Sequence, residues 1–202
     1  MPPLTPERDT QSPQRPLRAD AQRNRDKILA AAVRVFTEEG LNAHFERIAK
    51  EAGVGTGTLY RNFPTREALI EAAYRNEVAR LCDAVPELLA AAQPREALRT
   101  WMGRFVDYAT AKRGMADALR AVVASGGDPY GRSRDLIQDA LTTLMEAGTA
   151  TGVFRSDIRP SDMFAALAGI ALTSAAPDQR AQADRLLDLT LDGLTHLPPA
   201  SG

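Results

Sequence analysis

The chain has a single cysteine, Cys82, so no disulfide can form within it. Disulfides belong to oxidising compartments, and a chain that does without them is expected to work in the cytoplasm. Two histidines, His44 and His196, stand far from each other and from Cys82, so metal-ligand spacing is missing and neither metal nor cofactor is expected. No apolar run approaches the roughly 20 residues of a membrane span, so no membrane partner is expected. The opening stretch "MPPLTPERDTQSPQRPLRAD" lacks the hydrophobic segment of a secretory signal. There is no convincing strand-like alternation and no internal repeat. With 202 residues, 44% of them hydrophobic, the chain can still bury a substantial core, as one large domain or two small ones.

What is present is helical. Leu29, Ala32, Val33 and Phe36 recur at helical spacing until Gly40 stops the run. Short helices are expected over about 43–52 and 56–62, with Asn42 the better cap for the first and His44 a surface residue at its start. A longer helix follows Pro64, with Thr65 as N-cap and Ile70, Ala73, Tyr74, Val78, Leu81, Cys82 and Val85 on its apolar face. Pro94 opens a helix closed by Lys112, Arg113 and Gly114, and further stripes start near Met115 and Ile137. The last two helices are expected over about 161–176 and 178–196, with His196 near the final dipole. The fold class is all-α, about nine helices: a three-helix unit over 20–66 joined by a long helix to a larger helical domain over 67–197. Residues 1–19, which hold five of the thirteen prolines, read as a disordered arm, and 198–202 as a tail.

Charge divides along the same line. Residues 15–66 carry ten Lys/Arg against six Asp/Glu, whereas 67–202 carry fourteen against eighteen. A basic segment on an acidic body points to a polyanion partner for the first unit, although a solvated surface would look the same.

The stretch "FERIAKEAGVGTGTLYRNF" sharpens that reading. Gly53 suits the left-handed turn between two short helices, and Ile48, Ala49, Val54, Leu59 and Phe63 can pack them against the helix before. That is a helix-turn-helix whose second helix fits a DNA groove. Gly55 and Gly57 let backbone approach phosphates, and Thr56, Thr58, Tyr60, Arg61 and Asn62 supply donors. Tyr60 as core packing, and Arg61 as a solvated surface residue, are the competing readings.

These residues resemble the DNA-binding domain of the TetR family of bacterial transcriptional regulators. "RNRDKILAAAVRVFTEEG" is similar to that family's first helix, "IAKEAGVGTGTLYRNF" to its helix-turn-helix, and "PTREAL" to the start of its fourth helix. "WMGRFVDYATAKRGM" and "GVFRSDIRPSD" are similar to the SbtR-like branch. The resemblance implies that Tyr60 and Arg66 reach phosphates, that Thr58, Arg61 and Asn62 stand at the groove, and that Arg18, Arg23 and Arg25 approach the backbone. Two departures leave the bases read open: Gly55 replaces the usual capping serine, and Thr56 a frequent lysine or longer side chain.

The resemblance also implies a ligand cavity in the second domain, and Tyr74, Trp101, Phe105, Tyr108, Met115 and Met145 are the expected lining. Ordinary core packing is the competing reading for Trp101, Phe105, Tyr108, Met115 and Met145. "MFAALAGIALTSAA" and "RLLDLTLDGL" are apolar around much of their circumference, which suits a bundle shared between two subunits. Phe164, Leu167, Gly169, Ala171, Leu187, Leu191 and Leu194 are the expected dimer interface, with burial inside one large monomer as the alternative. The function implied is a dimeric, ligand-responsive repressor of a near-palindromic DNA operator, released by a small-molecule effector. An activator on the same architecture and an effector-free interaction scaffold remain open. An enzyme is not expected, since no nucleophile–base constellation is visible. Cys82, on an apolar face, is expected to be buried and inert, with redox sensing as the alternative.

Overall fold

The computed structural model describes residues 14–174 and 176–195, with the side chains of 14–19 and 177 outside that description. The arm before residue 14, His196 and the tail therefore lie outside the described residues. Within them the chain forms ten α-helices and two single 3-10 turns.

Helix α1 (Gln14–Glu39) begins earlier than the expected Asp20, with Pro16 tolerated in its first turn where no amide partner is needed. It turns through a 3-10 segment, Gly40–Asn42, into α2 (Phe45–Ala52) and α3 (Thr56–Asn62). His44, not Asn42, occupies the N-cap of α2, without a side-chain hydrogen bond. Gly53 stops α2 at φ +67°, a conformation that costs glycine nothing. Its amide and that of Val54 close the carbonyls of Lys50 and Ala49 at 3.2 and 3.0 Å. Ile28, Val35, Phe36, Ile48, Ala49 and Leu59 are fully buried between these helices, and Phe63 seals the end of α3. Ion pairs from Arg34 to Glu51, and from Arg47 to Glu38 and Glu39, tie α1 to the residues of α2 from outside.

Helix α4 (Arg66–Asp83) starts as expected, Thr65 Oγ1 accepting from the amide of Ala68 at 3.1 Å. It is shorter than its apolar stripe suggested. Pro86 cannot donate to the carbonyl of Cys82 and its ring would clash there, so α4 ends and a separate helix, α5 (Val85–Ala91), carries Val85. Then come α6 (Pro94–Gly114), α7 (Ala116–Ala124), α8 (Ser133–Ala150), α9 (Pro160–Thr173), the second 3-10 turn at Pro177–Gln179, and α10 (Arg180–Leu194).

Helix α6 is the axis of the larger unit and touches α4, α5, α7, α8, α9 and α10. Its buried residues, among them Leu98, Trp101, Met102 and Val106, fill the centre. Along its outer side Arg95, Arg99 and Arg180 pair with Asp192, Asp188 and Asp107, fastening α10 to α6. At its far end α6 meets α1: a Cβ at Gly114 would overlap the side chain of Thr37, so only glycine permits this approach. The ring of Phe154 lies in the equivalent way over Gly148. Residues 154 and 195 pair in a lone antiparallel bridge that holds the end of α10 against the α8–α9 connection.

Candidate nucleic-acid interface and helical-domain cavity

Helix α3 is anchored by Leu59 and turns Thr56, Gly57, Tyr60 and Arg61 outward. Tyr60 is 49% exposed although its ring leans on Phe45, with centroids 5.0 Å apart. Its hydroxyl end is thus free while its ring is held. Thr58 is half-buried, its amide bonded to the Gly55 carbonyl at 2.9 Å. A Cβ at Gly55 or Gly57 would meet nothing within 4 Å, so the fold itself gives no reason for glycine at either position. No side chain caps α3, as the glycine at its N-cap requires.

The expected cationic residues separate into several kinds. Arg61 is exposed, with no intrachain partner among the described residues. Arg25 lies over the Phe63 ring at 4.7 Å, bracing α1 against the end of α3. Arg23 is paired with Asp20 on its own helix. The Arg18 side chain lies outside the described residues.

Two expected contact residues also make bonds within the fold. Arg66 is a structural clamp: it donates to the carbonyls of Ala43 and Leu41 at 2.7 Å and Gly40 at 3.2 Å, with its guanidinium 5.3 Å from the Phe36 ring centre. Three of its five N–H groups are thus engaged with carbonyls of the fold. Asn62 is half-buried and turns its amide back, Nδ2 donating to the Thr58 carbonyl at 2.8 Å.

In the larger unit a cavity of about 560 Å³ opens between α4, α6, α8 and α9, with Tyr130 closing one side. Three expected residues line it: Tyr74, Phe105 and Tyr108. Trp101, Met115 and Met145 do not, and are core. Trp101 is fully buried, its indole N–H donating to the Leu81 carbonyl at 2.9 Å, and it stacks behind Phe105 at 5.9 Å. The hydroxyls of Tyr74 and Tyr108 bond to each other at 2.8 Å. Burial first, then that bond, pushes Tyr108 up, so it stays neutral. Tyr130 is also raised, by burial and then by Tyr74.

Lys112, Arg113, Tyr130, Arg134 and Phe164 also line the cavity, and the sequence reading assigned none of them to it. Lys112 and Arg113 had been accounted for as a helix terminus. A sufficient signal was there: Phe105, Tyr108, Ala109, Lys112, Arg113 and Ala116 follow i, i+3, i+4, i+7, i+8, i+11, a stripe that begins aromatic and ends cationic.

The interface expectation is corrected for most of its residues. Leu167, Ala171, Leu187, Leu191 and Leu194 are buried in the protomer's own core, and Phe164 is a cavity wall packed on Phe105 at 5.9 Å. Gly169 is exposed. The apolar residues that α9 and α10 turn outward are Leu172 and Leu189, exposed by 72% and 69%, with Ala165, Ala168 and Gly169 beside them in sequence register; Leu172 and Ala168 also stand at the cavity rim.

Cys82 is half-buried, and burial, then the charges of Asp83 and Asp139, push its thiol up to about 11. That leaves it unreactive near neutrality. Among the described residues no group of His, Cys, Asp and Glu could hold a metal ion, and no helix is long and apolar enough to cross a membrane.

The chain's relatives agree with this architecture. Residues 28–73 match the family of bacterial regulatory proteins of the tetR type, and residues 93–196 the C-terminal domain of SbtR-like transcriptional regulators. A solved TetR transcriptional regulator from Streptomyces coelicolor is 79% identical, over 86% of this chain and 99% of that one, with a TM-score of 0.85. Another from Mycobacterium vanbaalenii is 35% identical over 90% and 100%, with a TM-score of 0.74. A curated HTH-type transcriptional regulator of Staphylococcus aureus is 48% identical over 54 residues, a match spanning 26% of this chain and only 29% of that relative. These relatives are transcriptional regulators, not enzymes. The chain belongs to the TetR family of transcriptional regulators, with a DNA-binding helix-turn-helix followed by an SbtR-like C-terminal domain.

Proposed function

We propose that the protein is a dimeric repressor that holds a near-palindromic operator and releases it when a small molecule fills the cavity. The observation that carries the DNA half is the outward face of α3, where Tyr60 and Arg61 stand free of side-chain hydrogen bonds among the described residues, beside two glycines the fold does not need. Open backbone at Gly55 and Gly57 lets a phosphate approach closely. Tyr60 donates to a phosphate and sets the register, whereas Arg61 reaches a base edge, guanine being the bidentate partner for a guanidinium. Thr56 and Thr58 add shorter contacts.

Two such helices, one per subunit, read half-sites about 34 Å apart, one helical turn of DNA. The outward apolar residues Leu172 and Leu189 supply the shared face. The ligand acts through α6 and α4, which line the cavity and also touch α1. It must favour the conformer with the wrong head spacing, since only differential affinity shifts an equilibrium.

The test is operator selection from randomised duplexes followed by mobility-shift titration. Tyr60→Phe weakens all sequences alike. Arg61→Ala costs about 1–3 kcal/mol at one base position and relaxes specificity there. If both variants bind the selected operator as wild type does, α3 is not the reading helix.

A further inference from the structure

We infer that the cavity is built for an organic anion: an aromatic or otherwise apolar body carrying one acidic group that Lys112 and Arg113 hold. This rests on the ligand-responsive reading above and names the class of molecule it requires. Although residues 67–202 hold more acidic than basic side chains, the residues lining the cavity include Lys112, Arg113 and Arg134 and not one carboxylate. Elsewhere in the same unit Arg95, Arg99 and Arg180 are each paired with an aspartate, whereas Arg104, Arg132 and Arg185 stand without an ion pair among the described residues. The three cavity cations have no carboxylate partner among the described residues.

Arg113 shows this most directly. Its Nη2 donates to the Ala171 carbonyl, while its Nη1 is buried and bonded to nothing. A buried donor without an acceptor is costly, more so on a charged group, and Arg113 is one of the residues lining the cavity, so a small rotation of its guanidinium brings that donor to an oxyanion there. Lys112 stands beside it in sequence, its Nζ 4.9 Å from the Tyr130 ring centre and 5.8 Å from that of Tyr74. Ring faces attract the ammonium but leave its donors unfilled. The Tyr74–Tyr108 pair adds a neutral donor, because two hydroxyls that share one bond keep one proton to give. Phe105 and Phe164 complete walls suited to a flat apolar body. The volume falls within the roughly 300–1,000 Å³ of sites for drug-sized molecules. A cationic ligand would meet like charges and no counter-charge, and a neutral one would leave the positive charge of Lys112 and Arg113 uncompensated.

The probes are anilinonaphthalene sulfonate, an aromatic anion, and phenylnaphthylamine, the same rings without the sulfonate, titrated by fluorescence against the full chain. Hydrophobicity alone favours the neutral dye. The expected result is that the anion binds about tenfold tighter or more, the factor a charge-assisted bond supplies. Arg113→Met or Lys112→Met should weaken the anion by about tenfold and leave the neutral dye within about twofold. Arg134→Met serves as the second variant if either alters the far-UV circular dichroism. Equal binding of the two dyes by wild type, or an anion affinity indifferent to all three substitutions, overturns the inference. A separate readout guards the parent reading: an anion that binds through Lys112 and Arg113 yet leaves operator affinity unchanged supports this site and defeats the ligand-released repressor.

Discussion

Arg66→Ala separates a clamp from a phosphate contact. The guanidinium donates to the carbonyls of Ala43, Leu41 and Gly40 and lies over Phe36. Hydrogen bonds from a charged donor contribute about 1.5–3 kcal/mol each, but three on one guanidinium are not independent. Leu41 is 54% exposed, so its carbonyl is well placed to regain water, whereas Ala43 is fully buried. Counting one bond in full, the others in part and about 0.5–1 kcal/mol for the ring contact, the loss should be about 2–4 kcal/mol. With a urea dependence of about 2–3 kcal/mol per molar, the unfolding midpoint falls by about 1 M. The 3-10 turn that Arg66 holds also packs on α7, so the loss reaches the junction between the two units. A phosphate contact predicts something different: little change in the midpoint, and a slope of log affinity against log salt that falls by about 0.9 per lost contact. Urea titration and salt-dependent operator binding on the same preparation distinguish them. An unmoved midpoint with a reduced salt slope would refute the clamp.

Three further outcomes are expected. Leu172→Arg or Leu189→Arg should give folded monomers by light scattering with weakened operator binding, whereas Leu187→Arg, a charge in the protomer's own core, should unfold the chain; a folded Leu187→Arg protein would contradict its placement. Trp101→Phe should lose the indole bond to Leu81 and lower the urea midpoint while leaving binding of the aromatic anion nearly unchanged, and a large change in that affinity would put Trp101 back in the cavity wall. The Cys82 thiol, raised to about 11 against an ordinary 9.0, favours the protonated form in the fold, so its contribution is complete below about pH 9 and is lost as pH rises toward 11; it should react with a thiol reagent at pH 8 far more slowly than free cysteine, and equal rates would show an open, activated thiol.

The helix-turn-helix was legible because each of its parts has a local cause. Thr65 caps α4 with its own hydroxyl, Gly53 takes a left-handed φ, and Leu59 and Phe63 bury at the spacing that packs α3. The inward and outward sides of α9 were not legible, because a helix with almost no polar residues has no pattern to mark them. Leu167 and Leu172 read alike in sequence, yet one is buried and the other exposed. The intrachain bonds of Arg66 and Asn62 were not legible for a related reason: residue type suggests a contact, but carbonyls brought near by the fold, more than twenty positions away for Arg66 and one helical turn back for Asn62, decide which donors stay free. The cavity was half legible. Tyr74, Phe105 and Tyr108 were expected, whereas Tyr130 and Phe164 were not, and Lys112 and Arg113 coincide with the end of α6, where basic residues already have a reason to stand.

The contact of Gly114 with Thr37 contains no charge. Operator binding through phosphates weakens steeply as ions accumulate, but steric repulsion between packed atoms does not respond to screening. If, as proposed, the effector's signal passes from α6 to α1 through this uncharged contact, the two parts of the response separate along the axis of ionic strength. Occupancy of the operator falls as salt rises, whereas the ratio of operator affinities with and without saturating ligand stays constant. On that reading a cell under osmotic stress would carry less of the regulator on its DNA, yet each molecule still bound would switch by the same factor.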